Sequence, residues 1–134
     1  LEQRNQAESI MCAVGKVVWI KEETLMDTVT AVSGSGPAYF FYFMEALEQA
    51  AIEEGLDENT ARLLTLETAL GAARLAIETT KSPSELRDQV TSPGGTTEAA
   101  IQVLEQAGMS QILKTAVTAA RKRSADLANS SGTN

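Results

Sequence analysis

Residues 91–97, with the sequence Thr-Ser-Pro-Gly-Gly-Thr-Thr, have the composition of a loop that binds a small anion. Gly94 and Gly95 allow backbone conformations that are closed to other residues, and they bring backbone N–H groups close to a ligand. Pro93 reduces the conformational freedom of the turn. Three hydroxyl side chains can each donate and accept hydrogen bonds: Ser92, Thr96 and Thr97. The expected ligand is a carboxylate or a phosphate.

A helix is predicted directly after this loop, because apolar residues recur there at helical spacing. These positions are Ala100, Ile101, Leu104 and Ala107. Gly95 to Thr97 would form the first helical turn, whose N–H groups have no partner within the helix. Such an end attracts anions, so the sequence predicts an anion site. A glycine-rich turn capped by a threonine would explain the same residues without any ligand.

The composition limits the fold class and the possible partners. The chain has 134 residues, of which 43% are hydrophobic, so it is long enough for one domain with a core. Because the chain has only three prolines and nine glycines, a mostly α-helical fold is favoured. The net charge of −7 argues against nucleic-acid binding. The single basic cluster, residues 121–123, is interpreted as a solvated helix face.

The chain has no histidine and a single cysteine, Cys12. This composition excludes histidine-based acid–base catalysis, the usual zinc sites and an intramolecular disulfide. Cys12 lies in an apolar run, so we expect a buried free thiol and a reducing, cytoplasmic location. We see neither a signal peptide nor an apolar run of membrane-spanning length, and we expect the chain to be part of a longer protein because it does not begin with methionine.

Periodicity and capping signals predict the helices along the chain. The expected ranges are 1–13, 22–32, 37–54, 58–80 and 83–90, then one helix that begins at residues 95–97 and one that begins at Ser110. Val17–Ile20 has the composition of a short buried strand, but no convincing second strand is found. It is therefore predicted either to pair with something outside this chain or to be an ordered apolar arm. Residues 129–134 are expected to form a disordered tail.

Residues 33–37, Ser-Gly-Ser-Gly-Pro, interrupt the helical pattern. Their two glycines match the first half of a dinucleotide-binding fingerprint, but the third glycine is replaced by Tyr39 and the preceding segment is helical. A helix start explains them as well, with Ser35 or Gly36 as the cap and Pro37 in the first position.

The helix predicted over 37–54 is apolar on all sides in its first half, which holds every Phe and Tyr of the chain. One small domain cannot cover such a helix, so we expect a second copy of the chain to do so. The helix over 58–80 carries an apolar seam, which fits either a dimer interface or the core of one chain.

Residues 33–39, Ser-Gly-Ser-Gly-Pro-Ala-Tyr, and residues 91–97 together resemble the C-terminal dimerisation domain of pyrroline-5-carboxylate reductase, in the order and approximate separation of that family. The resemblance covers essentially the whole chain, including residues 15–19, Gly-Lys-Val-Val-Trp. It implies an all-α helical dimerisation domain of the 6-phosphogluconate-dehydrogenase C-terminal-like type over residues 21–128. Residues 1–20 would then be one helix and one residual strand from the end of a Rossmann nucleotide-binding domain.

The resemblance also implies a reaction. NADPH or NADH, bound mainly by an upstream domain, delivers hydride to the C=N carbon of 1-pyrroline-5-carboxylate and gives proline. Ser92, Gly94, Gly95 and Thr96 are expected to hold the substrate carboxylate by hydroxyl and backbone N–H groups, and Thr97 to hold the ring nitrogen. Relatives often have a small apolar residue in place of Thr96, which favours a backbone role there. Ser35, Gly36 and Pro37 are expected near the nicotinamide.

Further expectations concern assembly and activity. We expect a homodimer, with a ring of dimers as a further possibility, no membrane or nucleic-acid partner, and no reductase activity from these 134 residues alone. One alternative is the helical substrate domain of a related 3-hydroxyacid dehydrogenase, but Lys81, Lys114 and Lys122 lack the glycine-led helical setting of the catalytic lysine in those enzymes. Another alternative is a purely structural dimerisation module.

Overall fold

The computed structural model describes residues 2–131, and these residues fold into helices joined by short turns. The helices are α1 (Glu2–Cys12), α2 (Met26–Val29), α3 (Gly36–Glu53), α4 (Glu58–Glu78), α5 (Pro83–Gln89), α6 (Thr96–Gln106) and α7 (Met109–Ser131). A 3-10 turn (Glu23–Leu25) precedes α2, and a π-helical turn (Thr30–Gly34) follows it. No strand occurs between residues 2 and 131, so the all-α prediction is confirmed.

The predicted strand at Val17–Ile20 does not form. Residues 16–20 carry no regular secondary structure, and they lead from α1 to the 3-10 turn. A strand needs a neighbour to satisfy its backbone hydrogen bonds, and the described part of this chain offers none. Pairing of this segment with a strand outside these residues stays a prediction.

The segment predicted as one helix over 22–32 is instead a 3-10 turn, a short α-helix and a π-helical turn. The π-helical turn is closed by the N–H of Ser35, which donates to the carbonyl oxygen of Thr30 over 2.9 Å. Helical geometry therefore runs almost without a break into α3, and the interruption predicted at residues 33–37 is confined to Ser35.

Local sequence signals set the ends of α3, α4 and α5. Gly55 ends α3 with φ 103°, and the N–H of Leu56 donates to the carbonyl oxygen of Ala51 over 3.1 Å, as in a Schellman motif. Asp57 caps α4 by accepting a 3.1 Å hydrogen bond from the N–H of Thr60. Ser82 and Glu85 form a complete capping box at the start of α5, with Pro83 in the first turn. The predicted caps of α4 and α5 are confirmed.

The helices pack as a few contacting pairs. α3 packs against α4, α6 packs against α7, and α7 also packs against α2 and the π-helical turn. A part-buried hydrogen bond joins two of these elements, because the hydroxyl of Ser124 donates to Oδ1 of Asp27 over 2.7 Å. The C-terminal part of α7 is therefore connected to α2, next to the π-helical turn.

Very little of the chain is buried. Among residues 2–131 the buried residues are Ala31, Gly36, Ala61, Thr65 and Leu86. The aromatic side chains at positions 40–43 of α3 are between 46% and 74% exposed. The accessible surface is 11115 Å² for a mass of 14.3 kDa, whereas a compact monomer of this mass would expose only about 6,800 Å². The chain thus leaves a large apolar surface open to a partner.

Two further expectations fail at the ends of the chain. Cys12 is exposed rather than buried, because α1 buries none of its residues and the apolar run around this cysteine has nothing to pack against here. The predicted tail does not begin at Asn129, since α7 continues to Ser131. Residues 132–134 lie outside the described residues.

Candidate functional site

The loop between α5 and α6 is a tight hydrogen-bonded turn. The N–H of Gly95 donates to the carbonyl oxygen of Ser92 over 2.9 Å, which closes a four-residue β-turn. Gly94, the third residue of the turn, has φ +72°, and Pro93 occupies the second position. A proline followed by a residue with positive φ defines a type II turn. The sequence Ser-Pro-Gly-Gly is thus compatible with this type II turn.

Both glycines are required by this shape, each for a different reason. Gly94 adopts a positive φ that strains any residue with a side chain. Gly95 has φ −86°, which any residue can adopt, but a Cβ atom there would lie 3.0 Å from the carbonyl oxygen of Ser92. The turn can therefore approach the start of α6 closely only because neither position has a side chain.

The first turn of α6 has free backbone donors. Gly95 is the N-cap residue and provides no side-chain cap. The N–H groups of Thr96, Thr97 and Glu98 find no acceptor within residues 2–131, and the first hydrogen bond of this helix runs from Ala99 to Gly95 over 3.2 Å. The caps of α4 and α5, by contrast, come from side chains. The start of α6 thus combines unpaired N–H groups with the positive end of the helix dipole.

Several residues of the loop and of the first turn of α6 carry hydroxyl groups. Three of them make no hydrogen bond to any described residue: those of Ser92, Thr96 and Thr97. Ser92 and Thr96 are exposed, while Thr97 is half-buried. The hydroxyl of Thr91 differs, because it donates to the carbonyl oxygen of Arg87 over 2.6 Å and belongs to the end of α5. The first three hydroxyls are thus available to a ligand.

The glycine N–H groups are not available, which corrects part of the sequence-based prediction. Gly95 was expected to donate its N–H to a carboxylate, but this group closes the turn onto Ser92. The N–H of Gly94 donates to Oε2 of Glu98 over 2.7 Å. The two glycines shape the loop, and the free donors belong to the residues that follow them.

Glu98 is the residue of this site that sequence reasoning missed. It is the third residue of α6, where a glutamate commonly reaches back to the N-cap in a capping box. Glu85 does this in α5, accepting from the N–H of Ser82 over 2.7 Å. The signal was therefore present in the spacing, but Glu98 reaches one residue further back, to Gly94, because the type II turn presents that N–H.

An ion pair spans the loop from α5 to α6. Nη1 of Arg87 lies 3.6 Å from Oε1 of Glu105, and Nη2 of the same arginine lies 3.5 Å from Oδ1 of Asp88. All three side chains are exposed, so salt weakens these ion pairs and each contributes little to stability. Leu86 is the buried residue of α5.

The second predicted segment, Ser35 to Pro37, is helical and forms no loop. Ser35 has helical backbone angles and makes no capping hydrogen bond, so it does not cap α3 as expected. Gly36 is buried at the first helical position, and Pro37 follows it. Neither Gly34 nor Gly36 adopts a positive φ. This segment therefore lacks the loop that cradles phosphates in a dinucleotide fold.

The two predicted segments are not linked by polar contacts in the described part of the chain. No hydrogen bond or ion pair within residues 2–131 joins residues 33–37 to residues 91–97. Among the same residues there is no cluster of side chains that could hold a metal ion, and no helix is long and apolar enough to cross a membrane. The chemistry that this part of the chain offers is hydrogen bonding to an anion at the start of α6.

Comparisons with known proteins agree on one family. A sequence model described as "Pyrroline-5-carboxylate reductase dimerisation" matches residues 23–127. Pyrroline-5-carboxylate reductase of Pseudomonas aeruginosa is 49% identical over 130 residues, which are 97% of this chain and 48% of the relative. The relative from Methanosarcina acetivorans is 46% identical over 126 residues, covering 94% of this chain and 46% of its own length.

Solved structures give the same result for the fold. A pyrroline-5-carboxylate reductase from Coxiella burnetii superposes with a TM-score of 0.90 at 53% identity, over 94% of this chain and 47% of that one. The Plasmodium falciparum pyrroline carboxylate reductase, solved with NADP bound, has a TM-score of 0.82 at 31% identity, over 90% and 47% of the two chains. The chain spans about half the length of the relatives that it matches.

Proposed function

Because the chain belongs to the pyrroline-5-carboxylate reductase family, we propose that it is the dimerisation and substrate-binding part of an NAD(P)H-dependent reductase of proline biosynthesis. NADPH or NADH transfers a hydride to the C=N carbon of 1-pyrroline-5-carboxylate, the nitrogen carries a proton, and the product is L-proline. The observation that carries the proposal is the type II turn and the first turn of α6, where several backbone N–H groups and three hydroxyls have no hydrogen-bond partner within residues 2–131.

The substrate carboxylate fits the free donors of this helix start. The N–H groups of Thr96 and Thr97 lack acceptors within the described residues, and the hydroxyl of Ser92 can add a third hydrogen bond. The positive end of the dipole favours the negative charge. In this proposal Gly94 and Gly95 contribute to binding by shaping the loop and letting the substrate approach closely.

Thr97 is the proposed contact to the ring nitrogen. Thr97 is a half-buried residue, and its hydroxyl has no hydrogen-bond partner in the described part of the chain. An iminium carbon is already electrophilic, so the reaction does not depend on histidine, which this chain lacks. The contribution of the loop is to hold the ring in one orientation, and positioning of this kind lowers the entropic part of the barrier.

The cofactor supplies the hydride, but the residues described here offer no site for its phosphate groups. Residues 33–37 lack a phosphate-cradling loop, because Gly34 and Gly36 have no positive φ. We therefore assign Ser35 and Pro37 a contact with the nicotinamide end only, with the buried Gly36 as the backbone that supports them. The rest of the binding surface belongs to a nucleotide-binding domain. We place the enzyme in the cytoplasm, where a free thiol such as that of Cys12 stays reduced.

We also propose that the functional unit is a homodimer built through α3 and α4. The accessible surface of the chain exceeds that of a compact monomer of its mass by roughly 4,000 Å². Obligate dimer interfaces bury roughly 2,000–5,000 Å² counted over both partners and are rich in apolar residues, so the excess on one chain is more than large enough for such an interface. The exposed aromatic residues at positions 40–43 are the surface that a second copy would cover. A ring of such dimers is a further possibility of assembly within this proposal.

The test is a steady-state assay of the complete reductase, in which this chain is continuous with a nucleotide-binding domain. Oxidation of NADPH or NADH should depend on 1-pyrroline-5-carboxylate, and L-proline should inhibit it in competition with that substrate. A related 3-hydroxyacid dehydrogenase would instead oxidise 3-hydroxyacids. A purely structural module would bind no proline, so calorimetry with L-proline that shows no saturable heat would refute a substrate site in the loop.

A further inference from the structure

The hydrogen bond between Gly94 and Glu98 acts on one particular peptide group. The N–H that Glu98 accepts, at 2.7 Å, belongs to the peptide between Pro93 and Gly94. This peptide is the central one of the turn from Ser92 to Gly95. Type I and type II turns differ mainly in the orientation of that peptide, which is rotated by roughly 180° between them. Glu98 therefore contacts the group whose rotation would change the turn type.

We propose that Glu98 is a positioning residue that holds the Pro93–Gly94 peptide in its type II orientation and so keeps the substrate loop in its binding shape. The inference rests on the proposed function of this loop. In the observed orientation the carboxylate accepts from an N–H. After rotation the carbonyl oxygen of Pro93 would face the carboxylate instead, and two oxygens would repel each other. The charge of Glu98 thus favours one orientation and disfavours the other.

The loop needs this restraint because its own residues do not provide it. Pro93 is compatible with the second position of both turn types. Gly94 is unusual in reaching both signs of φ at little cost, so its φ of +72° is not enforced by its own sterics. The hydrogen bond from Gly95 to Ser92 is present in either turn type. Of the contacts made by this turn within residues 2–131, the one to Glu98 distinguishes the two orientations.

Glu98 does not compete with the substrate for donors in this arrangement. It engages the N–H of Gly94, whereas the proposed carboxylate site uses the N–H groups of Thr96 and Thr97. Rotation of the peptide would replace the N–H of Gly94 by the carbonyl oxygen of Pro93 on the side of the turn where Glu98 lies, and so change the polar groups that the loop presents at the start of α6. Loss of Glu98 should thus weaken binding of the carboxylate substrate more than it slows the chemical step.

The experiment compares three single variants of the complete reductase. Glu98→Ala should raise KM for 1-pyrroline-5-carboxylate by about three- to tenfold, the effect of one lost hydrogen bond, with kcat and KM for NADPH nearly unchanged. Glu98→Gln should have a smaller effect, because an amide accepts from the N–H but can also donate to the rotated carbonyl. Glu85→Ala is the matched control, since Glu85 occupies the same helix position in α5 and also caps a backbone N–H. It should lower Tm and leave KM unchanged.

A double variant separates the turn from other effects of Glu98. Gly94→Ala places a side chain at φ +72° and itself disfavours the type II turn. If Glu98 acts by holding that turn, Glu98→Ala should raise KM much less in the Gly94→Ala background than in the wild type. Equal effects in both backgrounds would refute the proposal.

Two results with the single variants would also overturn it. If Glu98→Ala changes KM no more than Glu85→Ala does, Glu98 is only a helix cap. If Glu98→Ala lowers KM, its carboxylate competes with that of the substrate. Both results presuppose a wild-type enzyme that reduces 1-pyrroline-5-carboxylate, so they are distinct from failure of the proposed function, in which the wild type itself would not turn over this substrate.

Discussion

The hydroxyl of Tyr39 donates a 3.0 Å hydrogen bond to the carbonyl oxygen of Ala31. Ala31 is fully buried and lies in the π-helical turn, whereas Tyr39 lies in the first turns of α3. The bond therefore connects the two elements on either side of Ser35. A π-helical turn weakens the regular hydrogen-bonding of a helix, so a side chain that satisfies one of its carbonyl groups stabilises an otherwise unfavourable geometry.

The first prediction concerns this contact. Tyr39→Phe removes the hydroxyl and leaves the buried carbonyl of Ala31 without this donor. The expected loss is about 1–3 kcal/mol in the free energy of unfolding, measured by urea denaturation. Tyr42→Phe is the matched control, because Tyr42 is exposed in the same helix. Equal stability of the two variants would show that the contact to Ala31 is not important for the fold.

Features that depend on a few neighbouring residues could be predicted from the sequence. The cap of α4 at Asp57 and the capping box of Ser82 and Glu85 involve residues three apart. The uncapped start of α6 follows from Gly95, which has no side chain that could accept a hydrogen bond from the first N–H groups of the helix. In these cases the sequence itself contains both partners of the interaction, and their spacing is fixed by helix geometry.

Features that depend on distant groups could not be predicted. Val17–Ile20 has the composition of a strand but finds no second strand in the described chain. Cys12 has apolar neighbours but nothing that covers them. The contact of Glu98 to Gly94 depends on the turn type, which the sequence leaves open because Pro93 fits both types. The missing information is in each case the position of a partner, not a local preference.

The second prediction concerns assembly through α3 and α4. The chain should be a dimer of twice 14.3 kDa by light scattering at micromolar concentration, because one copy leaves its aromatic residues exposed. Phe41→Glu should raise the Kd of the dimer tenfold or more. Burial of an unpaired carboxylate in the interface costs more than about 1.4 kcal/mol, which corresponds to a factor of ten in Kd. Ile10→Glu, on α1, should leave the mass unchanged. A well-folded wild-type monomer at that concentration would contradict the proposed dimer.

The third prediction concerns the cofactor. The 134 residues alone should show no saturable binding of NADPH in a fluorescence titration, at concentrations that saturate a complete reductase. The reason is that residues 33–37 have no phosphate-cradling loop, and no strand on which such a loop could be built occurs within residues 2–131. Tight binding that is lost in Gly34→Val would mean that this segment is a nucleotide site after all.

The fourth prediction concerns acid stability. Hydrogen bonds from the backbone and side chain of Ser82 hold the pKa of Glu85 below its ordinary value of 4.5. A carboxylate whose pKa is lowered on folding stabilises the fold above its unfolded pKa, and this contribution is lost as pH falls through the folded pKa. Glu85→Gln should therefore lower Tm at neutral pH, and the difference from wild type should shrink as pH falls below 4.5. Glu67→Gln, an exposed substitution in α4, is the control and should show no such convergence.

The last prediction concerns Thr97 in the complete reductase. Thr97 is a half-buried residue in the first turn of α6. Its hydroxyl has no hydrogen-bond partner in residues 2–131. The N-cap of this helix is Gly95, not Thr97. Thr97→Ala should lower kcat/KM by about ten- to hundredfold, because a hydrogen bond to a charged group is worth roughly 1.5–3 kcal/mol. Thr97→Ser keeps the hydroxyl and should retain most of the activity. Thr96→Ala should have little effect, because the proposed contact of that residue is its backbone N–H.

Measuring Tm and kinetics on the same samples distinguishes this role from a structural one. If the Thr97 hydroxyl only stabilised the start of the helix, Thr97→Ala would cost about 1 kcal/mol of stability and leave turnover near normal. The structure favours the first outcome, since α6 has no side-chain cap that the substitution could remove. A variant that melts early yet turns over normally would show that residues 92–97 are a capped turn and that the assigned contact to the ring nitrogen is wrong.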